Sequence, residues 1–152
     1  MPKQPFADFE LPGTGNTTFK FSEQRGHPVA IYFYPKDNTP GCTTEGQNFR
    51  DLYPQFQRAK CAIFGVSRDS VKSHEGFKGK MQFPFELLSD ADEEACKLFG
   101  VIKMKNMYGR QVRGIERSTF VFDPRGQLAR EWRGVKVPNH AQEVLDFIQT
   151  LK

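Results

Sequence analysis

The sequence predicts an α/β protein whose central mixed sheet is flanked by helices. Three observations carry that expectation. Two continuous apolar runs, Val29–Tyr34 and Cys61–Ser67, suit strands covered on both faces of a sheet. Apolar side chains then recur at helical spacing, as in Phe49, Leu52, Tyr53 and Phe56. A strand–turn–strand segment and an amphipathic segment close the chain. With 152 residues, 38% hydrophobic content and 15 phenylalanines, residues 1–152 are expected to form one domain around an aromatic core.

Residues 6–11 alternate apolar and polar. With Phe19–Phe21 beyond a Pro-Gly-Thr-Gly-Asn-Thr turn, they read as an N-terminal hairpin added to the sheet. After the strand at 29–34, a helix is expected to open at Cys42, with Pro54 kinking or ending it. The strand 61–67 leads to a helix near 70–79, capped by Asp69 or Ser70. A short strand at 85–88 precedes a helix over 90–99 with acidic first turns and Gly100 as its stop. Residues 101–116 read as a basic, glycine-punctuated loop. Strands at 118–123 and 128–133 flank a Pro-Arg-Gly-Gln turn, and Pro138-Asn-His opens the closing helix. This order matches a thioredoxin-like fold with an N-terminal β-hairpin extension.

The chemistry concentrates in Tyr32-Phe-Tyr-Pro-Lys-Asp-Asn-Thr-Pro-Gly-Cys-Thr-Thr-Glu45, which delivers Cys42 from a buried strand onto the first turn of a helix. A thiol there lies near the positive end of the helix dipole and near unpaired backbone N–H groups, both of which favour thiolate. Thr39 is expected to reach the sulfur with its hydroxyl across a tight turn, and Pro35 to wall off one side. Arg117, just before the strand at 118–123, is the candidate second cation. A thiolate flanked by a hydroxyl and a guanidinium is suited to splitting an O–O bond, because such donors stabilise the departing alkoxide.

Pro35, Thr39 and Cys42 stand at the spacing of the peroxiredoxin active-site motif. The longer run, with Gly114-Ile-Glu-Arg-Ser-Thr-Phe120, Gly65-Val-Ser67, Lys105-Asn-Met-Tyr-Gly109 and Arg130-Glu-Trp-Arg133, resembles the Q-type branch, the bacterioferritin comigratory proteins. The resemblance covers nearly the whole chain. It implies a thiol-dependent peroxidase acting on hydrogen peroxide and organic hydroperoxides through a Cys42 sulfenic acid, with Thr39, Pro35 and Arg117 completing the pocket and no cofactor. Glu45 matches a motif position and is expected to orient the arginine or the helix start. Many Q-type members carry a resolving cysteine five residues after the first, and others carry one on the next helix. Here the first position holds Gln47 and the second falls at Lys78 or a neighbour such as Gly79. The expectation is a one-cysteine cycle completed by an external thiol (glutathione, glutaredoxin or thioredoxin), in a monomer.

The other thiols read as structural, Cys61 opening a buried strand and Cys96 sharing a helix face with Ala95 and Phe99, although Cys96 remains an alternative partner if its short helix unravels. His27, His74 and His140 read as turn, surface and cap residues, and no pair has metal-ligand spacing. Trp132 and Phe120 read as packing or pocket walls. The net charge of +4 comes from residues 101–152, with 10 basic and 5 acidic side chains against 12 and 13 before them. The basic residues form no dense run, which argues against nucleic acid. No apolar stretch suits a membrane span or a signal peptide, and three cysteines make no paired framework, so a reducing cytoplasm is expected. The competing readings are a thiol–disulfide oxidoreductase or redox-regulated binding protein on the same fold, with Thr39 in place of the first cysteine of a Cys-x-x-Cys pair, and a holdase, for which no exposed apolar pattern is present.

Overall fold

The computed structural model describes residues 8–151. Nine strands and four α-helices follow in the order β1 (Glu10–Gly13), β2 (Thr17–Lys20), β3 (Val29–Phe33), α1 (Pro40–Arg58), β4 (Ala62–Ser67), α2 (Val71–Met81), β5 (Glu86–Ser89), α3 (Glu94–Phe99), β6 (Ile102–Met107), β7 (Arg110–Ile115), β8 (Ser118–Phe122), β9 (Leu128–Arg133) and α4 (His140–Ile148). Seven strands make one sheet in the order β2-β1-β5-β4-β3-β8-β9. Strands β3, β4 and β5 run parallel through the crossover helices α1 and α2, while β8 and β1 pair antiparallel to β3 and β5. This is the mixed, helix-flanked sheet that the element order predicts, with the N-terminal hairpin at one edge.

Alternation along β3 explains both layers. Ala30 and Tyr32 face a core built with Phe49 and Phe56 of α1, Phe77 of α2, and Val144 and Leu145 of α4. Val29, Ile31 and Phe33 face a second core with Ala95, Cys96 and Phe99 of α3 and with Phe9 and Phe19. The central strand is buried on both faces, which is why it reads as an unbroken apolar run.

Four elements depart from the sequence reading. In the N-terminal hairpin, Pro12, Gly13 and Thr17 pair as strand residues and not as part of the turn, and Phe21 begins a short 3-10 helix. Helix α1 begins at Pro40, two residues before Cys42, because proline at the first helical position lacks only a donor that would be unpaired there anyway. It also runs through Pro54, which stands on the exposed face, where a carbonyl freed by the missing N–H can turn to solvent. Residues 101–116 are not a loop: β6 and β7 form a hairpin whose two-residue turn, Tyr108-Gly109, has positive φ at both positions (52° and 78°). Ile102 and Met104 alternate with Lys103 along β6, but Met104 and Val112 are exposed, so the alternation marks no buried face. Helix α3 is shorter than expected. Glu93 adopts a left-handed φ of 60°, and the Asp90 carboxylate takes the N–H groups of Ala95 and Cys96. Residues 6 and 7 of the expected first strand lie outside the described residues.

Candidate active site

The strand β3 hands over to α1 through Pro35–Thr39. Tyr34 extends the pairing by donating its N–H to Val66 O, and Asn38 turns the chain with a φ of 63°. Thr39 is the extended residue capping α1; its carbonyl accepts the Thr43 N–H. Cys42 is then the third helical residue. Its side chain points into the core beneath the helix start, and the residue is 2% exposed.

Arg117 crosses from the β7–β8 connection to meet it. Nη2 donates to Cys42 Sγ at 3.4 Å, and Nη1 donates to Glu45 Oε1 at 2.6 Å. The two acceptors sit one turn apart on α1, so one planar guanidinium spans both with separate nitrogens. Gly41 leaves the room this needs, since a Cβ there would lie 3.1 Å from Nη2. Burial works against the charge on Arg117, but Glu45 and Cys42 outweigh it and hold the arginine above its ordinary value. Burial dominates at Glu45 and pushes its carboxyl up to about 7, although Arg117 pulls the other way. Glu45 Oε2 is buried without a hydrogen-bond partner.

Thr39 stands three residues before Cys42, but its hydroxyl donates to Lys36 O at 2.8 Å. That hydrogen is committed to the loop itself, and the expected hydroxyl–sulfur bond is not the one formed. Pro35 is half-buried directly after Tyr34. An open groove of about 580 Å³, lined by Pro40, Gly41, Thr44, Asn48, Val137, Pro138 and Asn139, adjoins the helix start.

Two histidines differ from their sequence reading. His74 is not on the surface. It is fully buried, with Nδ1 2.7 Å from Asp37 Oδ2 and Nε2 2.9 Å from Leu88 O. His140 is not a cap: Asn139 holds that position, and His140 is buried with Nε2 2.7 Å from Thr119 Oγ1. Burial, then the Arg117 charge, push His140 down to about 4, so its ring is neutral at neutral pH. Histidine composition gives no hint of either environment, because the partners are 37 and 21 residues away. A positional signal for His74 does exist, since it shares the inward face of α2 with Phe77. Phe120 is fully buried in the second core, and Trp132 packs half-buried on the first with Arg130 above its ring. Ligand atoms of Asp37, Asp69 and His74 come within 4.8 Å of one another, but hydrogen bonds within the protein already engage them.

The other two cysteines are buried and free. Burial pushes Cys61 up to about 12, and burial together with the Asp90 carboxylate raises Cys96 further. Among the described residues no helix is long and apolar enough to cross a membrane.

Residues 2–131 match the model of the AhpC/TSA family. Peroxiredoxin Bcp of Xanthomonas campestris pv. campestris is 56% identical over 143 residues, covering 93% of this chain and 89% of that protein. Peroxiredoxin Bcp of Bacillus subtilis is 46% identical over 149 residues, covering 98% and 93%. Among solved structures, a cysteine-to-serine mutant of PrxQ from Xylella fastidiosa has a TM-score of 0.92 at 45% identity, covering 98% of this chain and 95% of that one. A structure from work on alkyl peroxide reduction by the X. campestris bacterioferritin comigratory protein has a TM-score of 0.89 at 53% identity, covering 93% and 90%.

Proposed function

The chain belongs to the AhpC/TSA family and is a peroxiredoxin, a thiol-dependent hydroperoxide reductase; from that premise we propose that Cys42 is its peroxidatic residue, with Arg117, Thr39 and Pro35 completing the pocket of a single domain. The observation that carries this assignment is the Arg117 guanidinium donating to Cys42 Sγ at 3.4 Å from a position fixed by Glu45. The Cys42 thiolate attacks one peroxide oxygen, an S–O bond forms as the O–O bond breaks, and the departing alkoxide or hydroxide takes a proton from water. Sulfur is oxidised to the sulfenic acid and the peroxide is reduced to an alcohol or water. Arg117 stabilises negative charge on the sulfur before the step and on the leaving oxygen during it. Organic hydroperoxides are substrates beside hydrogen peroxide on this reading, as the alkyl peroxide work on the X. campestris relative suggests.

The proposed cycle uses one cysteine, in a monomer in a reducing cytoplasm. Three features support it. Lys78, at one of the family's resolving positions, is ion-paired with Glu86. Cys61 follows the far end of α1, and the sixteen helical steps from Cys42 to Arg58 span about 24 Å. Cys96 belongs to the core on the opposite face of the sheet. An external thiol (glutathione, or a glutaredoxin- or thioredoxin-type protein) then attacks the sulfenic acid, releases water, and leaves a mixed disulfide that a second thiol reduces. Non-reducing peptide mapping after one equivalent of peroxide tests the cycle. The expected product is a Cys42 sulfenic acid, or an adduct with added thiol. A stoichiometric Cys42–Cys96 or Cys42–Cys61 peptide overturns it.

A further inference from the structure

The loop that carries Thr39 is tied down by a buried polar cluster that the reaction itself does not use. The Asp37 carboxylate accepts from two hydroxyls and adjoins a ring nitrogen: Tyr34 Oη donates to Oδ1 at 2.6 Å, Ser73 Oγ donates to Oδ2 at 2.8 Å, and His74 Nδ1 lies 2.7 Å from Oδ2. The Asp37 N–H donates to Asp69 Oδ2, which also accepts from Ser67 Oγ. Three segments thus meet at one loop residue: Tyr34 just after β3, Asp69 in the turn before α2 with Ser67 of β4 behind it, and α2 itself at Ser73 and His74.

Hydrogen-bond arithmetic fixes the charge on His74. Two hydroxyls, those of Tyr34 and Ser73, spend their hydrogens on Asp37, which is how a carboxylate and not a carboxylic acid is satisfied in a buried site. Asp37 is therefore an ionised, acceptor-only partner. Burial pushes the Tyr34 hydroxyl well above its ordinary value, so it keeps its proton and donates. On the other side of the ring, Nε2 faces the carbonyl of Leu88, also acceptor-only, at 2.9 Å. A neutral imidazole has one N–H. It would set a bare nitrogen lone pair against an oxygen lone pair on one of these two sides, in a site that is 0% exposed. The Tyr34 hydroxyl also lies 3.4 Å from Nδ1, but its hydrogen is already given to Asp37 Oδ1, so the doubly protonated ring is the form that satisfies both Asp37 and Leu88.

We propose that His74 is a positioning residue of the peroxidase reaction: as a buried imidazolium paired with Asp37, it holds the Pro35–Thr39 loop in the form that sets Thr39 and the first turn of α1 around Cys42. This rests on the assignment of Cys42 above. The chain of contacts is short. His74 fixes Asp37, Asp37 fixes the backbone between Lys36 and Asn38, and the Lys36 carbonyl holds the Thr39 hydroxyl at 2.8 Å. An apolar pair of similar volume would fill the same space without selecting one loop geometry, whereas a buried ion pair with three further donors tolerates few alternatives.

The test has a spectroscopic and a kinetic arm. In the intact protein at neutral pH, ¹⁵N-edited NMR of the histidine side chains is expected to show both His74 ring nitrogens protonated, in the native chain and in Cys42→Ser alike. A ring with one bare nitrogen overturns the proposal, whatever the role of Cys42. In the kinetic arm, His74→Gln is expected to lower the second-order rate of Cys42 oxidation by hydrogen peroxide on the order of ten- to a hundredfold, the range for a misplaced reacting group. Alkylation of Cys42 by iodoacetamide, which does not use the peroxide donors, should change less than twofold. A merely structural role would loosen the site and speed alkylation of this buried thiol, so faster alkylation, or an unchanged peroxide rate, counts against the proposal. Ser73→Ala removes one donor and retains the pair, and it is expected to give a severalfold loss of the same kind even if His74→Gln does not fold. The double variant Asp37→Asn/His74→Gln should be no slower than the worse single variant, and multiplicative losses would show that the two residues act separately.

Discussion

Cys42 and Cys96 are both buried, both free, and both placed in the first turn of a helix, yet their surroundings oppose each other in sign. Cys42 is 2% exposed, and the nearest charge is the Arg117 guanidinium, donating to its sulfur. Cys96 is 0% exposed, and the nearby charge is the Asp90 carboxylate, which holds its backbone N–H and, with burial, raises its thiol. At Cys96 a carboxylate has taken the helix-start donors that would otherwise favour an anion. On the proposed assignment of Cys42, what distinguishes the two thiols is neither burial nor helix position but the sign of the charge admitted to the pocket.

The largest effect that could break this comparison is loss of the sulfur itself. Cys42→Ser is expected to abolish peroxide turnover with the thermal transition retained, read by stopped-flow peroxide consumption and by melting. Substantial turnover in Cys42→Ser would mean that another thiol carries the reaction.

Next in size is the charge. Arg117→Lys keeps a cation but cannot reach Sγ and Glu45 Oε1 with separate nitrogens of one planar group. Loss of one transition-state donor typically costs on the order of 100-fold or more. The second-order rate of Cys42 oxidation should fall by that amount, and an unchanged rate would remove Arg117 from the mechanism.

A smaller effect concerns Glu45, the carboxylate paired with Arg117 beside Cys42. Its carboxyl is pushed up to about 7 from an ordinary 4.5, chiefly by burial. The folded state then keeps a proton that the unfolded chain has lost, so stability contributed at this site is present in acid and declines as pH rises from about 4.5 to about 7. Denaturant titrations across that window should show the decline in the native chain and a flatter profile in Glu45→Gln. Equal slopes would mean that Glu45 is ionised throughout.

What the sequence disclosed and what it hid follow the same division between local and distant partners. The strand ending at Tyr34, the helix start at Cys42 and the position of Arg117 before β8 are local features: an apolar run, a Thr-Pro-Gly turn and a strand boundary. The hydroxyl of Thr39 bonds away from the sulfur because an acceptor, the Lys36 carbonyl, lies in its own turn. His74 reads as a surface residue among Lys72, Ser73 and Glu75 because its partners, Asp37 and Leu88, come from other elements. The hairpin of β6 and β7 escaped because it carries exposed side chains such as Met104, Tyr108 and Val112 instead of an apolar face.

The smallest effect is the control on the other half of the comparison. Cys96→Ser places a hydroxyl where a thiol packs against the second core, among Phe99, Phe33 and Phe120. A buried hydroxyl without an assured partner costs about 1–3 kcal/mol, so the melting temperature should fall measurably. The peroxide rate should nevertheless stay within about twofold of the native value, because the sheet separates Cys96 from Cys42 and no group of the proposed pocket touches it. Comparing the two readouts sharpens the case. Lower stability at constant rate confines Cys96 to packing. A rate loss of tenfold at constant stability would show that the two faces of the sheet are coupled in catalysis, and the contrast in charge between the two thiols would no longer suffice to explain which one reacts.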